Sequence, residues 1–179
     1  MAGPIELELR TVPSVALQPA ERARVIALCS QAYEEDFAPY LEQLTGGTHL
    51  LAYRGNELVS HAMWVIRWLQ PAGLDSLRTA YVEAVATAPA WQGRGFGRAV
   101  MRRLQQAITD FTLGALSPSD PAWYAPLGWE LWRGPLSIRT PAGSSATPDE
   151  QVMILRLPGT PPLNLEAGLS AEWRAGELW

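Results

Sequence analysis

Three glycines at alternate positions, Gly93, Gly95 and Gly97, stand between an apolar run and an amphipathic one, with Arg94 and Arg98 beside them. Glycine lets a backbone turn sharply and approach another group closely, so that its N–H groups can face an anion. The run Arg98-Ala-Val-Met-Arg-Arg-Leu-Gln-Gln-Ala-Ile predicts a helix, whose positive dipole end would lie at the same place. The chemistry on offer is the binding of a phosphate or pyrophosphate. A strand-to-helix turn with incidental glycines is the alternative, and the loop by itself leaves both open.

Spacing separates the kinds of phosphate cradle. A Walker loop needs Gly-Lys followed by Ser or Thr, which does not occur. A dinucleotide fingerprint needs G-x-G-x-x-G and an acid at the end of the next strand, but here the glycines fall as G-x-G-x-G and that strand reads Thr112-Leu-Gly-Ala-Leu-Ser117. What remains, Gln92-Gly-Arg-Gly-Phe-Gly97, resembles the Q/R-x-x-G-x-G/A pyrophosphate loop of the GCN5-related N-acetyltransferases (GNAT). The resemblance implies acetyl-CoA as co-substrate, with Gln92, Gly93, Arg94, Gly95, Phe96, Gly97 and Arg98 around its pyrophosphate.

A second chemical candidate lies upstream. Glu83 is a carboxylate on the otherwise apolar strand Leu77-Arg-Thr-Ala-Tyr-Val-Glu-Ala-Val-Ala-Thr87, and an apolar surround suits a carboxylate to accept a proton. It is the candidate general base; a salt-bridged strand residue or a substrate anchor are the other readings. His49 and His61 lack metal-ligand spacing and read as structural, so no metal is expected. Cys29, the one cysteine, lies in an apolar run and reads as core filling.

These groups need a frame to hold them. Residues 5–12 alternate apolar and charged and predict a strand, and 18–31 predict a helix with Pro19 in its first turn. The acidic segment 33–42 reads as a short helix or loop interrupted by Pro39. Residues 49–53 and 57–68 predict a hairpin about Arg54-Gly-Asn. A turn at 71–76 precedes the strand at 77–87, the glycine loop, a helix over 98–110 and a strand over 112–117. After Ser119-Asp-Pro comes a short helix ended by Gly128, then strands at 129–133, 136–139 and 152–157, with a Pro/Gly/Ser-rich loop over 140–148. The order predicts an α/β fold in one domain, residues 1–179: a mixed, mostly antiparallel central sheet with helices on both faces.

Composition narrows the partners. A chain of 179 residues with 47% hydrophobic and 18% charged residues is an ordinary globular composition. A formal charge of -4 argues against nucleic acid and permits a cationic small molecule. The N-terminal segment lacks a basic and an apolar signal region, and the longest apolar stretch, 62–69, is broken by Arg67, so no membrane is expected and a cytoplasmic address follows.

Over nearly its whole length the chain looks like the aminoglycoside 2'-N-acetyltransferases of the GNAT superfamily. The pieces are Glu35-Asp-Phe, Tyr81-Val-Glu, Gly114-Ala-Leu-Ser, Tyr124 with Gly128-Trp, Thr147-Pro-Asp and the terminal Trp173-Arg-Ala-Gly-Glu-Leu-Trp179. This resemblance implies acetyl-CoA-dependent acetylation of an aminoglycoside at its 2'-amino group, with antibiotic resistance as the consequence. Glu83 would act through water, and Tyr124 would be the general acid toward the CoA sulfur. From composition alone, Tyr124 would instead be a core aromatic packed on Trp123 and Trp129. Backbone groups of Val85, Ala86 and Thr87 would pair with pantetheine, and an N–H near Val85 would polarise the thioester carbonyl. Asp36, Glu83, Ala84, Ser117, Glu150, Glu177 and Trp179, the last through its terminal carboxylate, would hold a polyamine sugar by charge-assisted hydrogen bonds. A homodimer is also implied.

The chain departs from the family's pattern in three places. Ala84 stands where glycine is typical, and Glu150 and Glu177 stand where aspartate is frequent. A longer carboxylate moves its oxygens by one methylene, which bears on drug range more than on reaction type. The rival readings are an acetyltransferase for another small amine or a peptide N-terminus, and a CoA-binding module without catalysis.

Overall fold

A computed structural model describes residues 6–179. Ile5, where the first strand is expected to begin, and the first half of the ten-residue segment read as lacking a signal region lie outside the described residues. The chain divides into two compact units, Met1–Val65 with Glu83–Gln106, and Ile66–Val82 with Ala107–Trp179. Two long strands, β3 (Glu57–Pro71) and β4 (Leu77–Thr87), each contribute residues to both units.

In the first unit, β1 (Leu7–Pro13) pairs antiparallel with β2 (Thr48–Arg54), from Leu7 opposite Arg54 to Pro13 opposite Thr48. β2 in turn pairs antiparallel with β3, with a register shift between Ala52 and Tyr53. The tight turn at Gly55, φ 61°, closes this hairpin where the glycine signal placed it. Helix α1 (Pro19–Tyr33) opens on Pro19 and buries Val25, Leu28 and Cys29, the i, i+3, i+4 face of a surface helix. Helix α2 (Ala38–Gln43) carries Pro39 in its first turn, where a missing N–H costs nothing; proline there starts the helix rather than interrupting it.

Helix α3 (Phe96–Ala107) buries Val100, Met101 and Leu104. It begins two residues earlier than the pattern predicts and ends three residues sooner. Gly97 therefore lies inside the first turn of the helix and is not one of the turn glycines, which are Gly93 and Gly95, with φ 74° and 83°. The charged and amphipathic pattern marks where a helix must bury a face, whereas its start is set by backbone geometry that Phe96 and Gly97 do not advertise.

The second unit is a mixed arrangement of strands. β4 runs parallel to β5 (Leu113–Leu116), and β5 is antiparallel to β9 (Met153–Arg156), which also pairs with the two-residue β6 (Glu130–Leu131). β3 pairs antiparallel with β10 (Leu169–Glu172), β10 parallel with β7 (Leu136–Thr140), and β7 antiparallel with β8 (Gly143–Ala146). Helix α4 (Pro121–Tyr124) is capped by the Asp120 carboxylate, which accepts from the Ala122 N–H at 3.0 Å. Gly128, φ 92°, ends the following turn, as read from the sequence.

Two strands escape the sequence reading. β8 lies within 140–148, expected to be loop, because its residues Gly-Ser-Ser-Ala are all exposed and have no apolar alternation; pairing with β7 alone makes it a strand. β10 lies beyond the last predicted strand, where the sequence assigns no element, and forms because Leu169 and Ala171 bury between β3 and β7.

Candidate active site

The last part of β4 positions the candidate base. Glu83 is buried at 7% exposure, and the Tyr40 hydroxyl donates to its Oε2 at 2.6 Å. The next residue, Ala84, has φ 52°, a left-handed conformation that costs a residue with a Cβ roughly 1–2 kcal/mol. This is the position where the sequence lacks the expected glycine, and the chain adopts a glycine-like backbone there all the same. Its carbonyl accepts from the His61 Nδ1–H at 2.8 Å. The Val85 carbonyl accepts from the Tyr33 hydroxyl, also at 2.8 Å. Three consecutive residues of β4 are thus each held by a side chain from elsewhere in the first unit.

Tyr33, Tyr40 and His61 are site-shaping residues that sequence reasoning missed. The tyrosines belong to a segment that reads as acidic and partly exposed, and His61 to a hairpin histidine pair read as structural. Their partners lie 23 to 52 positions away, so no local signal could have found them.

The glycine loop follows in the same unit. Gln92 donates to the Thr87 carbonyl at 3.1 Å, which ties the loop back to the strand end. Trp91 donates to Glu57 at 2.7 Å, and the guanidinium groups of Arg54 and Arg94 each lie 4.8 Å from its ring centroid. A Cβ added at Gly93 or Gly95 would meet no protein atom within 4 Å. The first helical bond of α3 runs from the Ala99 N–H to the Gly95 carbonyl at 3.0 Å, so the N–H groups of Phe96, Gly97 and Arg98 have no acceptor within the helix. Two glycines in left-handed geometry, orphan amides at a helix start, and Arg94 and Arg98 alongside are a donor set that fits a pyrophosphate.

In the second unit, Tyr124 is buried, edge-on to Trp123 with centroids 4.8 Å apart and to Trp129 at 6.4 Å. Burial, with the Asp120 carboxylate nearby, pushes its phenol up to about 12, so the group stays protonated at neutral pH. The packing that composition alone favours is present, and the phenol it surrounds is protonated at neutral pH as an unburied phenol would be.

The proposed substrate ligands are differently placed. Ser117, Glu150 and Glu177 of the second unit and Asp36 of the first are exposed, and Asp36 accepts from the Ala38 N–H at 3.1 Å in a local turn. Trp179 is buried and donates through Nε1 to the Thr147 hydroxyl at 2.8 Å. Arg67, almost fully buried, donates to the Leu178 and Glu172 carbonyls, both at 2.7 Å, and lies 4.9 Å from the Tyr81 ring. The residue that appears in sequence only to break an apolar stretch is the clamp for the last residues of the chain.

The histidines form a buried chain. His49 and His61 are linked at 2.9 Å, and the Ser14 hydroxyl lies 3.0 Å from His49 Nε2. Burial holds both imidazoles down, His49 to about 4 with help from Arg22 and His61 to about 3 with help from His49. Folded-state values below the ordinary 6.5 mean that the unfolded chain binds more protons, so the contribution is complete above pH 6.5 and is lost as pH falls toward about 3. The two sites together should make stability fall steeply as pH drops from 6 to 4. Urea unfolding midpoints across that range check it, and a His49→Gln/His61→Gln variant should show a visibly shallower slope. Among the described residues, no group of three His, Cys, Asp or Glu side chains could hold a metal ion, and no helix is long and apolar enough to cross a membrane.

Comparison with known proteins agrees with the geometry. The acetyltransferase (GNAT) domain family matches residues 15–132. An aminoglycoside 2'-N-acetyltransferase from Mycolicibacterium fortuitum is 37% identical over 157 residues, 83% of this chain and 80% of that one. Among solved structures, the GNAT family N-acetyltransferase YhbS from Escherichia coli, in complex with CoA, superposes with a TM-score of 0.64 at 17% identity, covering 97% of this chain and 93% of that one. Eis1 from Mycobacterium abscessus gives 0.62 at 22% identity over 74% of this chain, which spans only 33% of Eis1. With its mixed α/β fold and a glycine loop at the head of α3, the chain belongs to the GCN5-related N-acetyltransferase family, whose members use acetyl-CoA.

Proposed function

We propose that the protein acetylates aminoglycosides, at the 2'-amino group, with Glu83 as a water-mediated general base and Tyr124 as general acid. The observation that carries this is a carboxylate buried on the strand that leads into the glycine loop, with the similarity to the 2'-N-acetyltransferase as support for the substrate. Acetyl-CoA supplies an activated acetyl group as a thioester. Glu83 accepts, through a water, the proton that the ammonium must lose before its nitrogen can attack. The backbone N–H near Val85 donates to the thioester oxygen as negative charge develops on it. Tyr124 gives its proton to the departing sulfur, a role its protonated, buried phenol supports. Val85, Ala86 and Thr87 pair with pantetheine, and Asp36, Ala84, Ser117, Glu150, Glu177 and Trp179 line the drug.

Release of CoA thiol, followed across aminoglycoside pairs that differ only in a 2'-amino or 2'-hydroxyl group, tests the reading. Turnover of the amino member alone is expected, and equal turnover of both would overturn the regiochemistry. Glu83→Gln and Tyr124→Phe should each lower kcat by on the order of a hundredfold, with CoA affinity largely kept in Tyr124→Phe. Wild-type kcat in both variants would remove them from the mechanism.

A homodimer completes the proposal. Ile66, Trp68 and Trp173 of the second unit are 50%, 47% and 58% exposed, and large apolar side chains in water mark surfaces that bind. Sedimentation should give twice the chain mass at micromolar concentration, and Trp68→Glu should shift it toward the monomer; a monomeric wild type would end the idea.

A further inference from the structure

The buried histidines are held in one hydrogen-bonding order by a single backbone atom. A carbonyl only accepts, so the Ala84 oxygen requires the proton on His61 Nδ1. Both imidazoles are neutral at working pH, so His61 Nε2 must accept, and it does so from the His49 Nδ1–H. His49 Nε2 then accepts from the Ser14 hydroxyl. The Cys29 thiol, 3.8 Å from His61 Nδ1 and pushed up to about 12 by burial, stays protonated and adds no charge. Every donor in the row Ser14–His49–His61 points the same way, toward β4, and aligned hydrogen bonds polarise one another.

The row ends at the one left-handed non-glycine residue of the strand. With φ 52°, Ala84 departs from strand geometry, and a buried carbonyl left without a donor is costly. The His61 imidazole supplies a donor to that carbonyl. Ala84 sits between Glu83, whose carboxylate meets Tyr40, and Val85, whose carbonyl meets Tyr33. Releasing Ala84 to ordinary strand geometry would re-aim both neighbours, because a change in φ at one residue rotates the chain on either side of it.

We propose that His61, backed by His49 and Ser14, is a positioning residue for acetyl transfer: it holds the left-handed bulge at Ala84 and thereby the direction of the Glu83 carboxylate and the Val85 backbone. This rests on the reading of Glu83 and Val85 given above. A purely structural histidine would affect stability and leave turnover per folded molecule alone.

The test uses His61→Leu, which removes the donor; His61→Asn, whose side-chain amide restores an N–H near the Nδ1 position; and His61→Leu/Ala84→Gly, in which glycine takes φ 52° without strain. Turnover with an aminoglycoside and acetyl-CoA, CoA affinity and melting temperature are measured for each, normalised to folded protein. His61→Leu should lose tenfold or more in kcat with CoA affinity within about threefold, and both His61→Asn and the double variant should recover most of the loss. If His61→Leu does not fold, recovery of folding and kcat in the other two carries the same conclusion. Wild-type kcat in folded His61→Leu, or no recovery in either rescue variant, overturns the proposal. Glu83→Gln run alongside separates the two ideas: a fall in Glu83→Gln with none in His61→Leu defeats only the positioning role. An unchanged Glu83→Gln defeats the reading of Glu83 and, with it, the positioning proposal as stated.

Discussion

Gly95→Asp should abolish CoA binding while leaving the protein folded. At φ 83° the new side chain is strained by roughly 1–2 kcal/mol, but its Cβ would meet no protein atom, so the fold should tolerate it. Function should not. The side chain would stand beside the N–H groups of Phe96, Gly97 and Arg98 and offer them a carboxylate, competing with pyrophosphate for the same donors and repelling its charge. Titration calorimetry with CoA should show no measurable heat, corresponding to a loss of a hundredfold or more in affinity. Gly95→Ala, which adds the strain without the charge, should fall between the two. Near wild-type affinity in Gly95→Asp would mean that the loop is an ordinary strand-to-helix turn.

Gly134→Ala should produce the opposite pattern, a large loss of stability at a residue to which no chemistry is assigned. A Cβ at Gly134 would lie 1.9 Å from the Ala167 carbonyl oxygen and 2.7 Å from the Glu166 carbonyl carbon, both backbone atoms. The segment cannot retreat easily. Leu165 accepts from the Arg133 and Gly134 N–H groups at 2.9 and 2.8 Å, the Trp132 indole donates to Ala167 at 2.8 Å, and the Leu169 N–H donates to Pro135 at 2.9 Å. Arg133 and Glu166 add an ion pair. Relieving the clash breaks several of these bonds at once and shifts the start of β10, so a cost of about 3 kcal/mol or more is expected. For a chain of this size that is roughly 6 °C or more in Tm. Gly159→Ala is the control, since its Cβ would find only the Phe111 carbonyl at 3.9 Å. Equal melting temperatures in the two variants would refute the packing argument.

The sequence by itself determined the elements that rest on local signals. Apolar periodicity located α1 and α3, because a surface helix must bury one face, and continuous apolar, β-branched and aromatic runs located β3 and β4, whose residues are buried on both faces over much of their length. Gly93 and Gly95 announced the turn between β4 and α3, since positive φ is a local property that glycine alone meets without strain. Glu83 could be singled out because a charge inside an apolar run is conspicuous before any fold is known.

Only the tertiary structure decided what surrounds them. Tyr40 on Glu83, His61 on Ala84, Tyr33 on Val85 and Arg67 on the carbonyl of Leu178 join positions 23 to 111 residues apart, and nothing local encodes such a pairing. β8 is a strand because β7 offers it a ladder, whatever its exposed side chains, and β10 because β3 and β7 pair with it and cover Leu169 and Ala171. Ala84 stands where glycine is typical of the family, but alanine itself gives no local sign of positive φ, and both its left-handed backbone and the His61 hydrogen bond to its carbonyl are seen only in the tertiary structure.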